Sequence, residues 1–142
     1  MNEDIGFTIE QMEVGMSRTY AKTLTETDII LFAAASGDIN SVHLNQEYAE
    51  GTPFGGRIAH GILTAGVVSA CIANKLPGVG TVYLGQTLKF KAPVRPGETV
   101  AATVTVKSID AAKNRATLET ICHVNGKIVL EGEALVLAPK RM

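Results

Sequence analysis

The sequence predicts an α+β fold in which a curved antiparallel sheet wraps one long buried helix. Three observations carry that expectation. Ala59 to Lys75 is apolar on nearly every side, which is the pattern of a helix buried all round. Val100, Ala102, Val104 and Val106 alternate with more polar positions, the period of a half-buried strand. Asn125-Gly126 stands between two further apolar runs and marks a two-residue hairpin. At 142 residues the chain is expected to form one domain, 1–142, with a core large enough to need neither disulfide nor structural metal.

The elements follow in order. Ser17 to Leu24 reads as a first strand. Thr25-Glu26-Thr27-Asp28 has capping-box spacing and runs straight into Ile29-Ile30-Leu31-Phe32-Ala33-Ala34-Ala35, so a short helix should start there and end near Ser36-Gly37. Asp38 to His43 is then a turn, and Asn45 to Ala49 a helical turn closed by Gly51 and Pro53. Phe54-Gly55-Gly56-Arg57 is loop. The long helix ends at Pro77-Gly78 and spans about 25 Å at 1.5 Å per residue; its small residues, among them Gly61, Gly66 and Ser69, let other backbone come close. Thr81 to Phe90 is strand-like, Pro93 to Gly97 a turn, and Lys113-Asn114-Arg115 another. Ala116–Val124 and Lys127–Ala138 form the arms of the Asn125-Gly126 hairpin.

Composition excludes several functions. Charged residues are 19% of the chain and the net charge is −1, so no basic surface is available for a nucleic acid. Aromatic residues are few and tryptophan is absent, which removes base-stacking platforms. Cys71 and Cys122 lack CxxC spacing and sit in apolar runs, as reduced packing residues of a cytoplasmic protein would. The acidic start, Met1-Asn2-Glu3-Asp4, leads into no apolar segment of a secretory signal. The longest apolar stretch, Ile58 to Ala73, is too short and too interrupted to span a membrane. With no glycine-rich phosphate loop, no bound nucleotide cofactor is expected.

The chemistry concentrates in Ser36-Gly37-Asp38-Ile39-Asn40-Ser41-Val42-His43. A carboxylate, an amide and an imidazole stand close enough together to hold and activate one water. Residues five apart diverge on a helix, so Asp38 and His43 can converge only across a turn, which Gly37, Asp38 and Asn40 favour. The same residues also suit a plain pair of Asx turns beside an ordinary histidine.

Three blocks together resemble the MaoC-type, (R)-specific enoyl-CoA hydratases of the hot-dog fold. The first is Ser36-Gly37-Asp38-x-Asn40-x-x-His43 with Ala49 six residues on. The second is Arg57-Ile58-Ala59-His60-Gly61-Ile62-Leu63. The third is Tyr83-Leu84-Gly85-Gln86-Thr87-Leu88-Lys89-Phe90-Lys91-Ala92-Pro93-Val94 with Gly97-Glu98 after it. The resemblance runs from about Val14 to the C-terminus. It departs at Ser41, where the family usually has proline, and at Ala35, usually a larger apolar residue; neither change removes a reacting group.

That resemblance implies a hot-dog domain and reversible syn hydration of a trans-2-enoyl thioester to the (R)-3-hydroxyacyl product. Hydration needs a base for the water, an acid for Cα and donors for the enolate-like oxygen. Asp38 and His43 would hold the water between them, His43 activating it and Asp38 handling proton traffic. The Gly61 N–H, at the positive end of the long helix, would meet the thioester oxygen, although a glycine there also serves tight packing. Asn40 would orient the pair or hold the turn, and Ser69 would support the carboxylate or simply pack. His60 reads as a helix-start histidine with a local hydrogen bond, and a metal held by Asp38, His43 and His60 is not expected. Arg57, Lys89, Lys91 and Arg95 are candidates for the phosphates of CoA. The implied partners are an acyl-CoA, or an acyl carrier protein in a dehydratase of the same fold, and a second copy of the chain in a homodimer. A thioesterase and a non-catalytic acyl-CoA-binding subunit are the other readings the fold allows.

Overall fold

A computed structural model describes residues 5–141; the acidic start at Met1–Asp4 lies outside the described residues. The chain enters strand β1 (Ser17–Thr23) and then helix α1 (Glu26–Ser36). The start of α1 is the expected capping box: Asp28 N–H donates to Thr25 Oγ1 at 3.1 Å, and Thr25 N–H donates to Asp28 Oδ2 at 2.9 Å. The bond from the Thr25 backbone, together with Lys22 at 3.0 Å, holds the Asp28 carboxyl below its ordinary range. Of the apolar run that follows, Ile29 and Ala33 are buried, whereas Ile30 and Leu31 face outward.

Two short helical pieces, α2 (Ser41–Leu44) and α3 (Gln46–Glu50), lead through a loop to the long helix α4 (Gly61–Asn74). The remaining strands are β2 (Val82–Gln86), β3 (Lys89–Phe90), β4 (Thr99–Asp110), β5 (Arg115–Val124) and β6 (Lys127–Leu137). All pair antiparallel in the order β1-β4-β5-β6-β2, with β3 also on β6. The expected α+β architecture is present, with α4 packed on β1, β4 and β5. The β5–β6 hairpin turns at Asn125 and Gly126 with φ of 50° and 79°, the doubly positive geometry this dipeptide tolerates.

The core lies between α4 and the sheet. Val67, Val68, Cys71 and Ile72 of α4 meet Val100, Ala102, Val104 and Val106 of β4 and Leu118 and Cys122 of β5. Both cysteines are free and buried, and burial pushes their thiols up, that of Cys122 to about 12. They are packing residues, as the sequence indicates.

Two expectations need correction. First, α4 is not buried all round: Ile62, Gly66, Ser69 and Ala73 form an exposed stripe along one face. An apolar sequence identifies a surface that will be covered but not which molecule covers it. Second, Thr81 to Phe90 is two strands instead of one. The break falls at Thr87, whose N–H donates to the Glu133 carbonyl at 2.9 Å while its hydroxyl accepts from Glu133 N–H at 2.9 Å. There the Thr87 carbonyl crosses Gly132 so closely that a Cβ on Gly132 would lie 1.9 Å from the oxygen. Backbone is the obstacle, so no rotamer change relieves it. Gly132→Ala is therefore expected to destabilise the fold by about 1–3 kcal/mol or more, read as a lower denaturation midpoint at unchanged m-value.

Candidate active site

α1 ends because Gly37 adopts φ 82°, a left-handed cap that turns the chain away from the helix axis. Ser36 Oγ donates to the Phe32 carbonyl at 2.7 Å and accepts from Asp38 N–H at 3.1 Å, fixing the exit. Asp38 Oδ1 then accepts from Asn40 N–H at 3.3 Å. Asn40 in turn caps α2, its Oδ1 accepting from Val42 N–H at 3.2 Å. The amide is therefore engaged in shaping the turn.

His43 lies on the helical turn α2 and not in a loop, which refines the sequence reading. Asp38 precedes the helix, so the splay that a helix would impose on residues five apart does not apply. The His43 ring is 8% exposed and its Nδ1 stands 2.8 Å from the Ile58 carbonyl. A carbonyl can only accept, so Nδ1 carries a proton, and in the neutral ring Nε2 presents a lone pair. Across the site, His60 Nε2 stands 2.9 Å from the Asp38 carbonyl and by the same logic carries the proton. The two segments thus hold each other's histidine through a backbone carbonyl.

The result brings a carboxylate oxygen of Asp38 and one ring nitrogen each of His43 and His60 within 4.8 Å of one another. A water making two ordinary hydrogen bonds spans acceptors about 4.5 Å apart, so Asp38 and His43 can share one. The same three residues also form a group whose ligand atoms could face one metal ion. The proton-bearing nitrogen of His60 is committed to Asp38, and its other nitrogen, Nδ1, is buried without a partner.

Gly61 is the first residue of α4, with His60 at the N-cap. Its N–H has no acceptor within the helix and lies at the positive end of the dipole. The glycine also has a packing reason: a Cβ there would meet the Phe90 ring at 2.6 Å. Beside it opens an apolar cavity of about 450 Å³ lined by Phe54, Ile58, Gly61, Ile62 and Phe90, with Lys91 among its walls.

The four candidate cations divide. Arg57 is largely buried and pairs with Glu26 at 2.8 Å. Arg95 donates to the Gly56 carbonyl at 3.1 Å and to that of Phe54, latching the loop before α4. Lys91 has only a loose approach to Glu131 at 3.8 Å, and Lys89 is exposed with no ion pair among the described residues. Ser69 stands on the exposed stripe of α4, eight residues and so about 12 Å along the axis from Gly61. It makes no side-chain hydrogen bond among the described residues.

His60 is not a helix-start histidine with a local hydrogen bond, because its bond runs to the carbonyl of Asp38, 22 residues away. Its ring stacks on that of His43, centroids 3.9 Å apart and planes 30° from parallel, and packs on Phe32 at 4.7 Å. Its adjacency to Gly61 was the available signal, but the contact depends on α4 meeting the octet in space.

Comparison with known proteins places the chain in a family. A MaoC like domain is recognised over residues 10–129. An (R)-specific enoyl-CoA hydratase from Rhodospirillum rubrum is 52% identical over 132 residues, covering 93% of this chain and 92% of the relative. A 3-hydroxybutyryl-CoA dehydratase from Methylorubrum extorquens is 46% identical, covering 93% and 84%. Among solved structures, the unliganded R-hydratase PhaJ1 from Pseudomonas aeruginosa superposes with a TM-score of 0.91 at 43% identity, covering 96% of this chain and 88% of that one.

Proposed function

The chain belongs to the MaoC-like domain family, and from that membership we propose that it is an (R)-specific enoyl-CoA hydratase, a hydro-lyase acting reversibly on trans-2-enoyl-CoA. The observation that carries the reading is the convergence of the Asp38 carboxylate and the His43 imidazole within 4.8 Å, next to His60, the N-cap of the helix that begins at Gly61. His43 Nε2 takes a proton from the shared water as its oxygen bonds to Cβ. The π electrons move toward the thioester, whose oxygen gains charge and meets the Gly61 N–H. A proton from the Asp38–water–His43 system then reaches Cα on the same face, giving syn addition and the (R)-3-hydroxyacyl thioester. Dehydration is the same path reversed.

The phosphates of CoA are assigned to Lys89 and Lys91, the two candidates with no close ion pair, while Arg57 and Arg95 shape the loop that leads into α4. Cytoplasmic action fits a chain whose two cysteines are free and buried. Among the described residues no helix is long and apolar enough to cross a membrane.

A homodimer completes the picture. The edge strand β2 exposes Val82, Tyr83 and Leu84, and α4 exposes Ile62 and Ser69. An apolar edge of this kind invites a further strand. Ser69 stands on the exposed face of α4, where a second copy would cover it. Val82→Lys with Leu84→Lys is accordingly expected to shift the mass in solution from dimer to monomer. Hydration should fall with it by roughly tenfold or more, the scale on which lost positioning acts. A monomeric variant with full activity would remove the partner from the site.

The test of function is incubation with crotonyl-CoA, following loss of the enoyl absorbance and determining the configuration of the product with a stereospecific dehydrogenase. An (R)-3-hydroxy product is expected. Release of free thiol would identify a thioesterase. Activity confined to the acyl carrier protein thioester would identify the carrier-protein dehydratase, and inertness at every chain length would overturn the hydratase.

A further inference from the structure

His60 is 2% exposed, yet the reaction described above gives it no proton to move. It occupies the N-cap of α4, where polar side chains ordinarily bond the first turn, and it makes no such capping bond. Its ring turns instead toward the octet. Nε2–H donates to the Asp38 carbonyl at 2.9 Å, one face stacks on His43 at 3.9 Å, and Phe32 packs on it at 4.7 Å. The remaining nitrogen, Nδ1, is an acceptor buried without a partner. A buried orphan acceptor costs stability, and a phenyl ring of the same shape would lack it. A histidine retained at that position therefore does something a better-packing residue would not.

We infer that His60 is the positioning residue of the site: one ring sets the backbone of Asp38 through its N–H and the plane of His43 through its face. It touches neither substrate nor water. It acts by holding two side chains from different elements at the separation one water can bridge. Small misplacements of reacting groups are costly, about 10²-fold for a displacement near 1 Å. The stack alone would let the Asp38 backbone drift, since that residue is exposed and its side chain accepts only one backbone bond within the turn. The hydrogen bond alone would leave the His43 ring free to pivot about its single Nδ1 contact with the Ile58 carbonyl.

This assignment rests on the hydratase reading, and its test separates the two. His60→Phe keeps the ring and loses the donor; His60→Gln keeps an amide N–H near the position of Nε2 and loses the ring. His60→Phe is expected to have an undiminished thermal midpoint while kcat for crotonyl-CoA falls roughly 10- to 100-fold at nearly constant KM. His60→Gln should recover part of that loss despite packing less well. A structural role alone would make activity follow stability, so a His60→Phe enzyme within twofold of the parent kcat overturns the inference, as does a loss matched by a lower midpoint in both variants. Long-range proton–nitrogen NMR of the parent protein gives a readout independent of the reaction. It should find the proton of His60 on Nε2 and that of His43 on Nδ1, and a proton on His60 Nδ1 would overturn the arrangement even if the protein proved not to be a hydratase.

Discussion

Asp38→Ala and His43→Ala are each expected to lower kcat for enoyl-CoA hydration by about 10²–10⁴-fold, the range one general acid–base group contributes. The geometry says why neither can substitute for the other. His43 has one free lone pair because the Ile58 carbonyl occupies its other nitrogen, so it can accept a proton but cannot also orient the water. Asp38 supplies the second anchor, and both lie within 4.8 Å. Removing either leaves a water with one partner and no fixed direction of attack. The double variant should be little worse than the worse single one, since groups acting as a unit are strongly non-additive. Asp38 is exposed, so its replacement should leave the fold intact by circular dichroism. His43 is nearly buried, and His43→Gln provides the check that lost activity is not lost folding. Activity within tenfold of the parent in any of these variants would refute the shared water.

The second large effect concerns the Gly61 N–H, which a simple substitution cannot isolate because any Cβ meets Phe90. The comparison is made in a Phe90→Ala background, which vacates that space. Gly61→Ala there keeps the N–H; Gly61→Pro removes it. Proline is tolerated at the first position of a helix, and it requires the preceding residue to be extended. His60 already has φ −59° and ψ 133°, so the backbone can accept the change. Loss of one oxyanion donor lowers kcat by about 10²–10³-fold, and that is the expected ratio between the alanine and proline variants. Equal rates in the two would reduce Gly61 to its packing role.

Much of this was legible before any coordinates. The capping box at Thr25, the left-handed exit at Gly37 and the Asn125-Gly126 turn are local chemistry, in which side chains bond their own neighbouring backbone. Alternation along β4 was equally plain. The sequence was silent where the partner is remote. Nothing near Thr87 announces that its carbonyl will cross Gly132, and nothing near His60 announces the Asp38 carbonyl, 22 residues away. Charge alone was equally silent about partners: Arg57 pairs with Glu26 and Arg95 with the loop carbonyls, contacts that the sequence does not announce.

The crossed pair of imidazole–carbonyl bonds, His43 to Ile58 and His60 to Asp38, makes the site a sensor of its own integrity. Each bond joins the α1–α2 segment to the approach of α4, and neither is part of the sheet ladder. Exposed, loosely packed segments open at lower free energy than the sheet they rest on. If α1 and α2 lift away, both histidines lose their anchors in one event while the β4–β5–β6 sheet stays intact. In rising denaturant, turnover should therefore vanish before the β-sheet signal moves, so catalysis reports a local opening that ellipticity cannot see.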